Sequence, residues 1–378
     1  MKRLLIFVDW FLPGYKAGGQ IQSCANLAYA LKDTVEIFIV TSDRDMGDDQ
    51  SYKEVETDVW TLLEPTISVK YLKPENRGYQ VIKSIIFSVE PDCIYLNSMF
   101  SLSFTLLPLE ACNKNFFKTR VVLAPRGMLH VGALQYKRIK KKVFFRIFKL
   151  RGFQKKLLFH ATDQTEEADI KKIFGKKVAI AAVKDFPTVK QDALKFLIKN
   201  PGTLKCLFIS RICPTKNLYF LLTTLKQVTG RVFLTIAGPV EDEKYWDKCT
   251  SLIAGMPGNI TVQYIGPLAN QLLPDIYRQH HLFFLPTFGE NFGHVIFDAL
   301  LNGRPVVISD NTPWKGLPEK GIGWDISLNE TQSFGNAIEQ AVGWTQEVFD
   351  SFCTKSWTFA KTYLNGSDLR TEYIKLFN

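Results

Sequence analysis

Short apolar runs alternate with longer stretches of helical period along the whole chain. The first series of runs is "RLLIFVD" (3–9), "VEIFIVT" (35–41), "SVKYL" (68–72), "DCIYL" (92–96), "RVVLA" (120–124) and "VAIAA" (178–182). A second series follows with "LKCLFIS" (204–210), "VFLTIAG" (232–238), "ITVQYIG" (260–266), "HLFFLP" (281–286) and "RPVVIS" (304–309). Strand-like runs separated by helix-like segments predict α/β units with mainly parallel sheets. Between the two series, "KDFPTVKQDALKFLIKNPGT" (184–203) carries two Pro and mixed charge and reads as a link. The pattern predicts two doubly wound domains, 1–190 and 200–352, followed by a helical segment over 353–378. In such folds ligands sit at the carboxyl ends of strands, so chemistry is expected there.

A length of 378 residues agrees with two domains. No apolar run approaches the roughly 20 residues of a membrane helix. The start "MKRLLIFVDWFLPG" has the outline of a signal peptide, but Asp9 interrupts its apolar stretch and no small-residue cleavage site follows. It reads instead as a buried first strand, and the chain as cytoplasmic. The seven Cys never form a Cys-x-x-Cys, which favours a reduced interior over a disulfide or zinc framework. The five His are scattered, and no metal is expected.

Three strand ends carry candidate chemistry. Gly18-Gly19 precede a helical pattern at Ile21, Ala25, Leu27, Ala28 and Leu31. A glycine pair at a helix start lets a backbone approach an anion, although it can equally be a tight turn. Three spaced glycines are missing, which counts against a dinucleotide enzyme. In "FISRICPTKNL", Arg211 and Lys216 flank a Pro-containing loop. Two such cations suit a diphosphate, or are ordinary surface charges. In "LPTFGENFGHVIFDALLNGRPVVIS", Phe292–Leu301 read as a buried helix ended by Gly303, with Glu290 before it and Asp298 inside it. Carboxylates accept paired hydrogen bonds from vicinal hydroxyls, so one acid can hold a sugar and the other a ribose. The N–H groups near Asn291, Phe292, Gly293 and His294 can face phosphate. The plainer reading makes Glu290 a helix-dipole partner and Asp298 a solvated helix residue.

The last stretch resembles the donor-binding signature of retaining glycosyltransferases of the GT-B fold, family 4. "FISRICPTKNL" resembles that family's diphosphate loop, and "HATDQTEEADIKKIFG", with Asp163 and Glu166 spaced as a capping box, resembles its helix near the end of the first domain. "APRGMLHVGALQYKRIKKK" is similar to a bacterial surface-polysaccharide subset. The resemblance implies an α/β GT-B architecture, with two Rossmann-like domains facing a cleft, acceptor bound by the first and donor by the second. The final helix would return to the first domain. It further implies that Glu290 contacts the donor sugar, that Asp298 binds ribose, that Arg211 and Lys216 neutralise the diphosphate, and that Gly19 offers its N–H to the same phosphates. The sequence departs from the family where Asp298 replaces a Glu, where "KDF" replaces an Asn-Gly turn after "VAIAA", and where Pro125-Arg126-Gly127 stands at a position often held by His. Arg126 is assigned to the active site on that ground, with His130 as a second candidate or a plain loop residue.

The implied reaction is metal-independent glycosyl transfer from a nucleoside-diphosphate sugar, UDP-linked rather than GDP-linked, without a further cofactor. A leaving-phosphate oxygen can take the acceptor's proton on the same face, which retains configuration and needs no protein base. The rival readings are a non-catalytic nucleotide or glycan binder on the same fold, and an inverting transferase or epimerase.

The net charge of +10 is carried entirely by the first half, where residues 1–198 hold 31 basic against 21 acidic side chains. Residues 137–156, "KRIKKKVFFRIFKLRGFQKK", contain ten basic residues and no acid, with apolar residues at helical spacing. Lys140, Lys141, Lys142, Arg146 and Lys149 are therefore expected on the polar face of a helix that meets an anionic membrane surface. A core-packed helix with a solvated face is the alternative, and nucleic acid a third. A glycan or lipid-linked acceptor at the inner face of a membrane fits the first reading, and nucleic acid is not expected as a partner.

Overall fold

The apolar runs form two parallel sheets in a computed structural model that describes residues 1–115, 119–130, 134, 138–189, 193–366 and 368–378. The chain divides into one unit of residues 1–186 with 368–378 and a second of residues 187–367.

In the first unit the elements are β1 (Lys2–Phe7), α1 (Gly19–Leu31), β2 (Val35–Ser42), β3 (Trp60–Glu64), β4 (Ile67–Leu72), α2 (Tyr79–Val89), β5 (Cys93–Leu96), α3 (Leu107–Asn115), β6 (Arg120–Leu123), α4 (Arg138–Leu150), β7 (Leu158–Ala161), α5 (Gln164–Phe174) and β8 (Ala179–Ala182). The sheet order is β3-β4-β2-β1-β5-β6-β7-β8. All its pairs are parallel except β3 with β4. Strand order reverses between β1 and β5, so the loops after those two strands diverge and leave a crevice at their carboxyl ends.

The second unit contains β9 (Thr203–Ile209), α6 (Leu218–Leu225), β10 (Arg231–Ala237), α7 (Glu243–Ala254), β11 (Ile260–Tyr264), α8 (Leu273–Arg278), β12 (Leu282–Leu285), α9 (His294–Leu301), β13 (Val306–Ser309), α10 (Leu317–Lys320), β14 (Gly323–Ile326), α11 (Thr331–Val342) and α12 (Gln346–Asn365). The sheet runs β11-β10-β9-β12-β13-β14, wholly parallel, and reverses between β9 and β12. The central strands β12 and β13 are buried at every position, as helices on both faces require.

Three strands escaped the sequence pattern. β3 is an antiparallel edge strand with Leu62 and Leu63 exposed. β7 is four residues long and directly follows the basic stretch, and β14 is equally short. "RPVVIS" becomes a strand only from Val306. Arg304 is buried, and its guanidinium donates to the carbonyls of Tyr277 and Arg278 at the end of α8, and to Lys195 O. A cation there meets the negative end of a helix.

The expected boundary at 352/353 falls inside α12. This helix buries Phe349, Cys353, Ser356 and Ala360 in the second unit, so it cannot divide there. The segment that rejoins the first unit is shorter, α13 (Leu369–Phe377). Tyr373 stacks on Phe186 at 4.7 Å, and Phe377 meets Tyr95 edge-on at 5.3 Å. Asp163 caps α5 by accepting from Glu166 N at 2.7 Å. The reciprocal half of the capping box is not made, because the Glu166 carboxylate accepts instead from Gly127 N and Thr162 N.

The "AGP" turn after β10 needs glycine. Gly238 has φ 135°, and a Cβ there would stand 1.9 Å from Ser210 O. Gly238→Ala should destabilise the chain by at least about 1 kcal/mol. Gly335, within α11 and with open space at its Cβ, is the contrast. Gly335→Ala should stabilise by roughly 0.5–1 kcal/mol through helix propensity. Thermal and denaturant unfolding of both variants, which should move in opposite directions, tests this.

Candidate active site

In the second unit, the loops after β9 and β12 flank the point where strand order reverses. The first loop ends in a helical turn at Pro214–Lys216, closed by Asn217 in the left-handed region at φ 59°. The second runs from Pro286 to Gly293. Backbone bonds fix the two together, since Phe288 N donates to Thr215 O at 2.8 Å and Thr287 Oγ1 lies 3.1 Å from the same oxygen. Ser309 Oγ at the end of β13 donates to Thr287 O at 2.5 Å, and Glu290 N donates to Asn311 O at 3.2 Å.

On this frame Lys216 Nζ stands 2.5 Å from Glu290 Oε1. Both side chains are mostly covered, 15% and 11% exposed, so the pair is partly shielded from solvent. Two residues expected to act on one donor are thus brought together. Arg211 is on the same loop as Lys216, but its guanidinium is paired with Glu241, a partner the sequence reading did not foresee. Both side chains of that pair are about a third exposed, where an ion pair is weak and exchangeable.

The helix expected from Phe292 begins at His294, because Gly293 is its N-cap at φ 76°. That left-handed φ favours glycine, and a Cβ there would also press on Ile296 Cδ1 at 2.9 Å. Phe292 packs its ring against Trp314, Phe297 and Tyr363, and its carbonyl accepts from Trp314 Nε1 at 2.6 Å. Its side chain is therefore core, and only its backbone is at the loop. Asn291 is half-buried and His294 buried. The first turn of α9 holds no acidic residue, which leaves its positive end for an anion.

Asp298, one turn deeper in α9, is half-buried. Its Oδ1 is shut from solvent without a hydrogen-bond partner. Burial pushes its carboxyl up from 3.8 to about 7, with the Thr188 hydroxyl acting in the opposite direction. Phe288, in contrast, projects outward with 59% of its surface exposed while its backbone is held by Thr215. A rigidly mounted exposed aromatic beside Lys216 and Glu290 had a sequence signal, an aromatic among turn residues, that was passed over.

In the first unit Gly19 is the first residue of α1, which also lacks an acid in its first turn. Gly18, its N-cap, has φ 64°. Asp9, just past β1, is half-buried, and desolvation raises its carboxyl against hydrogen bonds from Ser101 and Ser98. Arg126 differs from its expected role. Its φ is 57° and its side chain is only 5% exposed. Nε donates to Asn97 Oδ1 at 2.5 Å, Nη2 donates to the Tyr95 hydroxyl at 2.8 Å, and Nη1 is paired with Asp185. The network continues through Tyr95 Oη to His160 Nδ1 at 2.8 Å, and His160 Nε2 lies 2.8 Å from Val183 O. A carbonyl only accepts, so Nε2 carries the proton and Nδ1 accepts from Tyr95. Burial lowers the His160 pKa to about 4, which keeps this ring neutral. Ser23 of α1 donates to Asp185 and Gln20 of α1 to Asn97 O, so the network fastens α1 to the strand ends. Arg126 is an interior strut rather than a side chain presented to substrate. His130 contacts Asp169 at 2.8 Å.

An Asp-x-Asp spacing, a pattern that can hold a metal ion, occurs at Asp43-Arg44-Asp45. Asp43 is paired with Arg44 and Arg77, and Asp45 Oδ2 accepts from the amides of Tyr15 and Lys16. Among the described residues no group of three or more His, Cys, Asp or Glu is placed to hold a metal ion. On α4, Lys140, Lys142, Arg146 and Lys149 are exposed, whereas Lys141 is half-buried with its Nζ 4.8 Å over the Phe100 ring. No helix among the described residues is long and apolar enough to cross a membrane.

Residues 203–343 match the family described as Glycosyl transferases group 1. A D-inositol 3-phosphate glycosyltransferase of Rhodococcus erythropolis is 28% identical over 164 residues, 41% of this chain. The match spans only 37% of that relative's length. The sucrose-phosphate synthase of Thermosynechococcus elongatus superposes with a TM-score of 0.72 at 14% identity, covering 100% of this chain and 98% of its own. HepE of Anabaena, in a structure with UDP and glucose, superposes with a TM-score of 0.71 at 17% identity and the same coverage. Strand order, the loops at the second unit's switch point and these likenesses agree on a GT-B fold, within which residues 203–343 match the model of the group 1 glycosyl transferases.

Proposed function

We propose that the chain transfers a sugar from a nucleoside-diphosphate donor, with retention of anomeric configuration, to a glycan or lipid-linked acceptor in surface-polysaccharide assembly. The Lys216–Glu290 pair at the switch point of the second unit carries this reading. A cation and a carboxylate that hold each other can each be offered a better partner by one ligand. A bound donor would give Lys216 a phosphate and Glu290 the sugar's hydroxyls. Arg211 would exchange Glu241 for the diphosphate in the same way. The freed Glu290 carboxylate would then face the positive charge that develops at the anomeric carbon as the diphosphate leaves. Catalysis is positioning plus preorganised charge, and the two cations take the role for which a metal would otherwise serve. The UDP in the HepE complex supports a UDP-linked donor. The similarity of "APRGMLHVGALQYKRIKKK" to the surface-polysaccharide subset supports the acceptor class, and the basic α4 supports work at the inner face of a membrane.

Glu290→Ala should lower transfer at least about 100-fold while UDP still raises the melting temperature. Lys216→Ala should lose most of that UDP-dependent rise. Transfer at the parental rate in Glu290→Ala would falsify the mechanism, and a product of inverted anomer by NMR would overturn retention.

Asp298 is assigned to the ribose, as the family resemblance implies. Its pKa is higher folded than unfolded, so ionisation opposes folding. That cost is absent below about pH 4, grows as pH rises from 3.8, and is complete above about 7. Asp298→Asn should therefore be more stable than the parent at pH 8, by on the order of 1 kcal/mol or more, and equal to it near pH 4. It should also bind UDP more weakly. Unfolding midpoints between pH 4 and 8, with UDP titrations at pH 8, test both; an unchanged pH profile together with unchanged affinity would dismiss the assignment.

A further inference from the structure

α4 has two apolar faces, and only one of them is used by the fold. Phe144, Phe145 and Phe148 turn inward, where Phe148 packs against Phe153 at 5.4 Å and Phe174 at 5.4 Å, and Phe144 meets Phe100 at 5.1 Å. Ile139, Val143, Ile147 and Leu150 are 79%, 53%, 46% and 82% exposed. They stand at i, i+4, i+8 and i+11, which confines them to an arc of about 80° at 3.6 residues per turn. Lys140 borders that arc on one side, and Lys142 and Arg146 on the other; all three are exposed.

We propose that this aliphatic arc inserts into the headgroup–acyl boundary of an anionic lipid bilayer, so that the helix is held by its side chains Ile139, Val143, Ile147 and Leu150 as well as by its cations. The three phenylalanines already tie α4 to the core, so the four aliphatic residues are not needed for packing. A face kept merely soluble would not place them in register, and Ile and Val are only moderate helix formers. Nucleic acid would engage the cations and leave the arc in water. An apolar strip bordered on both sides by long cations fits a bilayer surface: the aliphatic groups reach the acyl boundary while the ammonium and guanidinium groups stay at the phosphates. Residues 137–156 contain no acid to repel those phosphates. Lys141 does not belong to this set, because its ammonium lies over the Phe100 ring.

The inference rests on the proposed membrane-borne acceptor for its purpose, but not for its test. Flotation of the full chain with phosphatidylglycerol-containing vesicles, against pure phosphatidylcholine, is expected to show binding to the former that partly survives 0.5 M salt. Replacing Ile139, Val143, Ile147 and Leu150 by Ser should weaken binding at least tenfold and abolish the salt-resistant part. Replacing Lys140, Lys142 and Arg146 by Gln should weaken binding at low salt. Ile147→Trp should show blue-shifted emission with the anionic vesicles, quenched by lipids brominated in the acyl chain. All variants sit on exposed positions, and their melting temperatures and UDP-dependent thermal shifts should match the parent. Parental binding by the Ser variant, fully salt-sensitive binding, no vesicle binding, or concentration-dependent self-association lost in the Ser variant would each overturn insertion. In every such case an intact UDP response would leave the donor-site reading standing.

Discussion

The donor side of this molecule turns on one contact, the ion pair between Lys216 and Glu290. The two residues come from loops 74 positions apart in sequence, yet each loop begins at the end of a central strand and the strands are neighbours, β9 and β12. Thr215 O receives bonds from the second loop, so the loops are one rigid piece before either charge is considered. The pair is then neither fully buried nor free. Deep burial would fix it as structure, and full exposure would leave it too weak to organise anything. At 15% and 11% exposure it is preorganised and still exchangeable.

The first unit shows how a departure from a family pattern can be structural. Arg126 and "KDF" look like two separate oddities in the sequence. The structure makes them one, since the Asp185 of "KDF" is the carboxylate that Arg126 needs in order to be buried. Asn97, Tyr95 and Ser23 complete the cluster, and His160 follows it as a neutral ring. A buried arginine without that carboxylate would be strongly unfavourable, so each of the two positions depends on the other. The resulting strut holds the helix that begins at Gly19, and this is a more economical role for Arg126 than contact with substrate.

The fold was legible because both sheets are parallel and buried, which writes each central strand as a near-continuous apolar run. β3 was not, because an edge strand can expose Leu62 and Leu63, and β7 and β14 each interrupt a short apolar run with a polar residue, His160 and Asp325. The position of Glu290, Lys216, Arg211 and Gly19 in loops or at a helix start after strands was legible from residue type and pattern. Their partners were not. Glu241 and Asp185 lie 30 and 59 positions from the cations they meet, and nothing local announces such pairings. The depth of Asp298 was hidden for a related reason: spacing along a helix gives the face, but not what covers it. On α4 the basic residues were conspicuous, while the division of its apolar residues into a packed and an exposed face required the packing itself.

The cations of the chain sort into two kinds by what they touch. Arg304 is buried against carbonyls at the end of α8, and Lys199 donates to Asn200 O, Val342 O and Trp344 O at the end of α11, its pKa lowered to about 8 by burial. Carbonyls cannot leave, so these charges are permanent parts of the frame, each capping a helix. Lys216 and Arg211 instead meet the carboxylates of Glu290 and Glu241. Where such a pair is partly exposed, the carboxylate can be exchanged for a diphosphate, which offers negative charge with more acceptor oxygens. Partner chemistry and exposure together, rather than the presence of a basic residue at a strand end, separate Lys216 and Arg211 from Arg304 and Lys199, which face carbonyls, and from Arg126, which is enclosed with its carboxylate.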